Sequence, residues 1–363
     1  MRNLSSVFNS IQSWLFPALE EEIDELTEKQ REFVRIIELI DPARFMSQFN
    51  WCGLGRPTET RLSIFKAFMA KSIYNFPTTK LLLDQIHASP SLRRLCGWEV
   101  RSEIPSESTF SRAFKEFSEA SLLQEIHGVI IQENIGEEKL VGHISRDSTA
   151  IKGREKSCRK NTPKKKSKGK RGRPRKGEVR IKEPRRLELQ GDRSLEDNLN
   201  DLPLGCDWGT KKDSKGKKMS WKGYKLHLDC MDGDIPVSAI LTSASPHDSQ
   251  VAIPLAQMTS ERLISCYDLM DAAYDAPEIR EFSRSLGHVP IIDYNKRNGE
   301  KKEFTPAEKI RYRERSTAER VNADLKDNHG GETIRVKGQQ KVFTHLMFGV
   351  VAVAVKQLFN MLC

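Results

Sequence analysis

Apolar residues recur at helical spacing through the first third of the chain. Leu15, Leu19, Ile23 and Leu26 fall three or four positions apart, which predicts a helical segment over residues 1–40. Residues 41–120 divide into short helices. Residues 61–74 carry Ile64, Phe65, Phe68 and Met69 on one stripe. Thr78 or Thr79 is placed to cap a second helix through Leu81, Leu82 and Ile86. Ser89-Pro90-Ser91 opens a third with Leu92 and Leu95, and residues 105–109 open a fourth from Phe110 to Phe117. Short helices with polar turns are compatible with a helix-turn-helix DNA reader, and equally with a bundle that holds no ligand.

Beyond residue 138 the period changes. Residues 140–151 predict a strand ending near Asp147. Residues 221–231 alternate through Tyr224, Leu226 and Leu228, residues 235–241 are β-rich, and Met231-Asp232-Gly233-Asp234 between them signals a hairpin turn. A helix over 249–261, a strand over 262–270 with Asp271 at its end, a helix over 276–286 and a strand over 289–294 follow. A long helix over 305–328 and a last one over 342–362 complete the series. This order predicts an α/β fold over 138–363, a mixed sheet flanked by helices, behind an all-helical N-terminal domain. Residues 152–205 interrupt it. They are polar and poor in apolar side chains, and are expected to form a disordered basic insertion.

Charge sharpens that division. Sixty Lys and Arg against 50 Asp and Glu give +10, but residues 151–186 alone hold +15, so the remainder sums to about −5. A basic protein calls for a polyanion partner, and here the signal belongs to one segment. Within it, Arg171-Gly172-Arg173-Pro174 lies among further cations and looks like an AT-hook. An extended Arg-Gly-Arg can lie in a narrow minor groove, where the potential is most negative. The alternative is a tract that coats phosphates without reading sequence.

Seven cysteines without C-x-x-C or paired spacing read as reduced thiols in a cytosolic protein, with no structural zinc site expected. Glu20, Glu21, Glu22, Asp24 and Glu25 are foreign to a signal peptide. His345, Lys356, Gln357 and Asn360 interrupt the apolar run 342–363, which predicts a buried helix rather than a membrane span of ~20 apolar residues.

Phosphoryl chemistry with two metal ions needs acids that converge from different elements. Asp147 and Asp271, each near a strand end, have that placement, though Asp147 standing alone would read as a strand-end cap. Asp268 lies three residues before Asp271 and so points to the opposite face of the sheet. Asp275, with Pro277 and Glu278 behind it, has the spacing of a helix N-cap. Glu319 lies in the long helix. Tyr312, Arg315, Glu319 and Lys326 stand at offsets 0, 3, 7 and 14, within about 60° around the axis and along about 21 Å of one face. A solvated face with an ordinary Arg315–Glu319 ion pair would read the same way. The functional reading is a metal ligand flanked by cations that grip phosphate.

These residues resemble the insertion-sequence transposases with a DDE triad and a Y-R-E-K signature. Tyr312, Arg315, Glu319 and Lys326 match that signature at every spacing. Arg146-Asp147-Ser148-Thr149 and Asp271-Ala272-Ala273-Tyr274-Asp275 look like its first and second aspartate motifs. Gly223 to His227 and Pro246-His247-Asp248-Ser249-Gln250 resemble segments between them, and residues 56–111 resemble the helical domain upstream. The resemblance covers about 41–150 and 206–360.

It implies a ribonuclease-H-like catalytic fold and Mg²⁺ or Mn²⁺ held by Asp147, Asp271 and Glu319. It implies attack by water and then by a freed 3′-OH at the element's ends, with Tyr312, Arg315 and Lys326 on DNA near the scissile phosphate. The expected partners are terminal inverted repeats and target DNA, with a homodimer in the synaptic complex. The expected setting is the prokaryotic cytoplasm, at the nucleoid and away from membranes. The 48-residue gap from Asp271 to Glu319 is too short for the β insertion some relatives carry, and the insertion here follows the first aspartate instead. His247 and Asp248 are expected to be structural. The competing readings are a non-catalytic DNA-binding protein derived from a transposase, and a metal-dependent nuclease that does not rejoin DNA.

Overall fold

The computed structural model describes residues 4–23, 25–50, 53, 60–136, 140–158, 184–212, 216–295 and 303–362. The first part of the chain is helical: α1 (Leu4–Ser10), α2 (Phe16–Ile23), α3 (Glu28–Ile40), α4 (Arg61–Ile73), α5 (Thr79–Ala88), α6 (Pro90–Cys96), α7 (Glu107–Glu119) and α8 (Leu122–Asn134). Local chemistry sets several starts. Thr27 and Gln30 form a reciprocal capping box at α3. Thr78 accepts from the Leu81 amide at 3.1 Å and Ser89 from the Leu92 amide at 3.2 Å.

The second part runs β1 (Leu140–Lys152), α9 (Arg186–Gln190), α10 (Leu195–Asp201), β2 (Asp207–Lys212), β3 (Lys218–Met231), β4 (Ile235–Ser243), α11 (Ser249–Ser260), β5 (Ile264–Met270), α12 (Pro277–Ser285), β6 (Val289–Ile292), α13 (Pro306–Tyr312), α14 (Ser316–Asn328) and α15 (Gln339–Asn360). The six strands make one mixed sheet flanked by helices, as the ribonuclease-H-like expectation requires. β3 pairs antiparallel with β1 along one edge. On its other edge residues 218–223 pair with β2 and residues 224–231 with β4. β5 and β6 add on in parallel beyond β1. Gly223 stands where β3 changes partner. Its φ is +153°, and a Cβ there would lie 2.0 Å from the Ile151 carbonyl oxygen, so only glycine allows the two backbones this approach.

One core joins the two parts. Fourteen of the 22 residues of α15 are buried. The helix packs on α3, α4, α7 and α8 on one side and on β4 on the other. Phe348 lies 5.6 Å from Phe65 and 5.8 Å from Phe68, ring centre to ring centre. Among the described residues, α15 is the helix long and apolar enough to cross a bilayer, but its apolar surface is spent inside the protein.

Three expectations are corrected. β1 does not end near Asp147 but runs on to Lys152, because β3 continues to pair with it. Residues 184–205 are folded rather than part of a disordered insertion. Leu187 and Leu202 are buried in two small clusters against α11. The buried Gln190 and Asn198 amides donate to Gln250 O at 2.7 Å and Gln190 O at 2.9 Å. The helix expected over 305–328 is two helices, α13 and α14, separated by a 3₁₀ turn at Arg313–Arg315. Residues 159–183, with Arg171, Gly172, Arg173 and Pro174 of the AT-hook-like segment, lie outside the described residues.

Candidate active site

Side chains alternate along β1, so Ser145, Asp147 and Thr149 share one face of the sheet and Arg146 and Ser148 the other. The parallel ladder between β1 and β5 closes at the pair Arg146–Met270. Asp147 and Asp271 are the next residues on adjacent strands and stand side by side just past its end. Asp271 accepts from the Ala273 amide at 2.8 Å, which folds the chain into a short turn behind it. Asp147 accepts from Asn322 Nδ2 of α14 at 3.3 Å.

Burial pushes the Asp147 carboxyl up to about 6, and the charges of Asp271 and Glu319 push the same way against Arg315 and the Ser148 amide. Burial also raises Asp271, aided by Asp248. Taking these charges out of water costs free energy that no protein cation fully offsets.

α14 is pinned over this pair. Ser145 Oγ donates to the Arg315 carbonyl at 2.6 Å and accepts from the Ala318 amide at 3.4 Å. Arg315 reaches Glu319 at 2.7 Å, and its guanidinium lies 5.7 Å from the centre of the Tyr312 ring. Burial raises the Tyr312 phenol to about 12. Burial lowers the Lys326 ammonium, with Lys211 and Lys152 adding to that and Glu332 and Asp147 opposing it. The 3₁₀ turn places Tyr312 on α13 and Glu319 and Lys326 on α14, so the stripe spans two helices and the turn between them.

Among the described residues, no three His, Cys, Asp or Glu side chains are placed to hold one ion as they stand. The reason is local: Asp147 and Asp271 adjoin, whereas Glu319 is turned onto Arg315. The donor chemistry nevertheless suits a hard divalent cation. Two partly buried carboxylates face the site, and the buried Asn322 Oδ1 beside Asp147 has no hydrogen-bond partner.

The opposite face of the sheet holds the other acids. Arg146 forms a two-pronged pair with Asp229, both contacts 2.7 Å and both residues buried, and Thr259 Oγ1 donates to the same carboxylate at 2.7 Å. Asp268 is there too, as alternation requires, held by Ser283 at 2.5 Å and His288 at 3.2 Å. Asp275 does not cap α12. Ala276 holds the cap position with Pro277 first in the helix. Asp275 instead binds Arg280 at 2.9 Å and accepts from the Asn295 amide at 2.9 Å. Lys225 Nζ reaches the Pro246 carbonyl at 2.8 Å and Asp248 at 2.7 Å, which joins the two motifs that lie between the aspartates. His247 Nδ1 pairs with Ser249 Oγ at 2.9 Å.

Ser145 and Asn322 escaped the sequence reading. Ser145 lies two residues before Asp147 on one strand face, and Asn322 one helical turn after Glu319. Those offsets were the available signal.

Two family models match the chain. The Transposase domain (DUF772) covers residues 21–116, and the Transposase DDE domain covers residues 142–354. No curated protein and no solved structure matches it. The DDE match spans more than half of the chain, and by that measure the chain belongs to the transposase DDE domain family.

Proposed function

We propose that this transposase cuts DNA at the ends of its element and joins the freed 3′ ends to a target, at a site formed by Asp147, Asp271 and Glu319. The observation that carries the reading is the pairing of Asp147 and Asp271 on adjacent strands beneath α14, where burial raises both carboxyls. Like-charged acids held out of water mark functional sites more often than structural ones. Asp147, Asp271 and Glu319 would hold Mg²⁺ or Mn²⁺, with Glu319 exchanging its contact with Arg315 for the ion. Such an ion supplies positive charge that activates an attacking hydroxyl and stabilises the leaving oxygen of a phosphodiester.

The chain's own groups do the rest. Asn322 orients Asp147, and Ser145 fixes the start of α14 against β1. Arg315, once free of Glu319, presents a planar fork suited to the scissile phosphate. Tyr312 and Lys326 would border that phosphate along the same face. The helical segment over 41–120 would read the terminal repeats, and the basic segment with Arg171, Gly172, Arg173 and Pro174 would add a minor-groove contact. Two ends must be held together, which calls for a homodimer, acting in the cytoplasm.

The test is cleavage of DNA carrying the element's ends, comparing the wild type with Glu319→Gln in Mg²⁺ and in EDTA. Metal-dependent 3′-end cleavage that the variant loses while still binding DNA is the expected result. Equal cleavage by both removes Glu319 from the site. Binding without cleavage by either favours the non-catalytic DNA-binding protein.

A further inference from the structure

Past the carboxylates the sheet narrows to a two-stranded ribbon, β2 paired with residues 218–223 of β3. Residues 207–222 contain six lysines (211, 212, 215, 217, 218 and 222) against Asp207 and Asp213. Trp208 stands opposite Lys222 and Thr210 opposite Ser220. Opposite residues of an antiparallel pair share a face. On β3 that face is also the one of Leu228, the partner of Asp147. The ribbon row Trp208, Thr210, Lys218, Ser220 and Lys222 therefore continues the sheet face that carries Asp147.

The two faces of the ribbon differ. On one, Trp221 closes over Gly209, where a Cβ would lie 2.6 Å from the indole ring. The Trp221 indole N–H is spent on the Tyr224 carbonyl at 3.1 Å. On the other, Trp208 is 56% exposed, and Thr210, Lys218 and Ser220 are exposed beside it. Beside the ribbon, Lys326 of α14 feels the charges of Lys211, opposite Met219 near the ribbon's far end, and of Lys152 on β1, which pairs with Glu332 at 2.6 Å.

We propose that this ribbon face is a track for the phosphate backbone of duplex DNA leaving the cleavage site, with Lys218 and Lys222 on phosphates and Trp208 beside them. The inference rests on reading the carboxylate site as one that acts on DNA. Lys218 and Lys222 are separated by about 14 Å of strand at ~3.4 Å per residue. A duplex offers a phosphate on each strand every ~3.4 Å of axis, so the span matches about four base pairs. A second protein copy is a poorer occupant, since lysine and serine are depleted in protein interfaces. The contact carries no base reading and gives salt-dependent affinity at any sequence.

The experiment is equilibrium binding of the full-length protein to a fluorescent duplex over a series of KCl concentrations. Lys218→Gln with Lys222→Gln is compared with the wild type and with Lys29→Gln plus Arg284→Gln, an equal charge change at exposed cations on α3 and α12. A second variant adds Trp208→Ala. The ribbon pair should flatten the slope of log K against log salt by about 2, at ~0.9 per lost phosphate contact, and weaken binding about tenfold at ~0.1 M salt. The α3 and α12 pair should match the wild type.

An unchanged slope and affinity in both ribbon variants, with melting temperatures also unchanged, overturns the inference. So does a fall in sedimenting mass with DNA binding intact, which would make the ribbon a contact between copies. If the wild type binds DNA but never cuts it in Mg²⁺ while the ribbon variants bind weakly, the cleavage reading fails and the track stands. If cleavage proceeds and the ribbon variants bind normally, the track alone fails.

Discussion

Replacing Asp147 with asparagine should stabilise the metal-free protein at neutral pH while abolishing cleavage. In the folded chain Asp147 keeps its proton up to about pH 6, against an ordinary 3.8. The folded state therefore binds more protons than the unfolded one between these values, and stability is lost as pH rises through that window. The interval corresponds to about 3 kcal/mol at pH 7, at 1.36 kcal/mol per tenfold change. Asn removes the charge at nearly constant volume, and its amide oxygen can still accept from Asn322. Urea titrations at pH 7.5 in EDTA should place Asp147→Asn about 2–3 kcal/mol above the wild type, a rise in Tm of about 3–4 °C. The gap should close as pH falls below about 3, where the wild-type carboxyl is neutral in both states. Saturating Mg²⁺ should also narrow it, since binding at 100 Kd adds about 2.7 kcal/mol to the wild type and little to the variant. Equal or lower stability of the variant at pH 7.5, with no response to pH, would refute the claim that buried repulsion stores free energy at this site.

The sheet's other face gives a second prediction. Arg146→Met leaves Asp229 buried with only Thr259 as partner, which should cost about 3–5 kcal/mol in urea titrations; the loss should shrink as pH falls, because burial already raises the Asp229 carboxyl and without Arg146 it takes up a proton more readily, and a pH-independent loss would point to packing instead. Ser145→Ala removes the bonds to Arg315 O and Ala318 N. It should cost about 1–2 kcal/mol of stability and lower kcat for cleavage more than it changes DNA affinity; an unaltered kcat would detach α14 from the chemistry.

Much of this architecture was legible as period. The switch from helical spacing to alternation near residue 140 marks where helices give way to sheet, and the Asp-Gly turn at 232–233 sits between β3 and β4. Strand-end placement found Asp271 but not Asp147, which meets it although β1 runs on to Lys152, and the opposite orientation of Asp268 followed from simple parity. What escaped was set by distant contacts. Arg313, Glu314 and Arg315 are ordinary helix formers, and the 3₁₀ turn there coincides with Ser145, some 170 positions earlier, bonding the Arg315 carbonyl. Residues 184–205 looked too polar to fold, yet two leucines and two buried amides docked on α11 suffice. β2 owes its existence to the edge that β3 leaves free once β4 ends, which no local pattern in Asp207–Lys212 announces. Spacing made Glu319 a candidate, but spacing could not say that its carboxylate rests on Arg315.

The shared helix α15 carries a consequence for how the chain folds. Phe65, Phe68 and Phe114 of the first helices find their covering partner in Phe348, which is made more than 200 residues after Phe114. A newly made α4–α8 segment therefore has helices but no lid, and its aromatic face stays open to water or to a chaperone until the sheet and α15 arrive. Closing so long a loop is slow compared with helix formation. Neither half should fold alone when the chain is cut between 159 and 183, yet the two pieces should complement each other when refolded together.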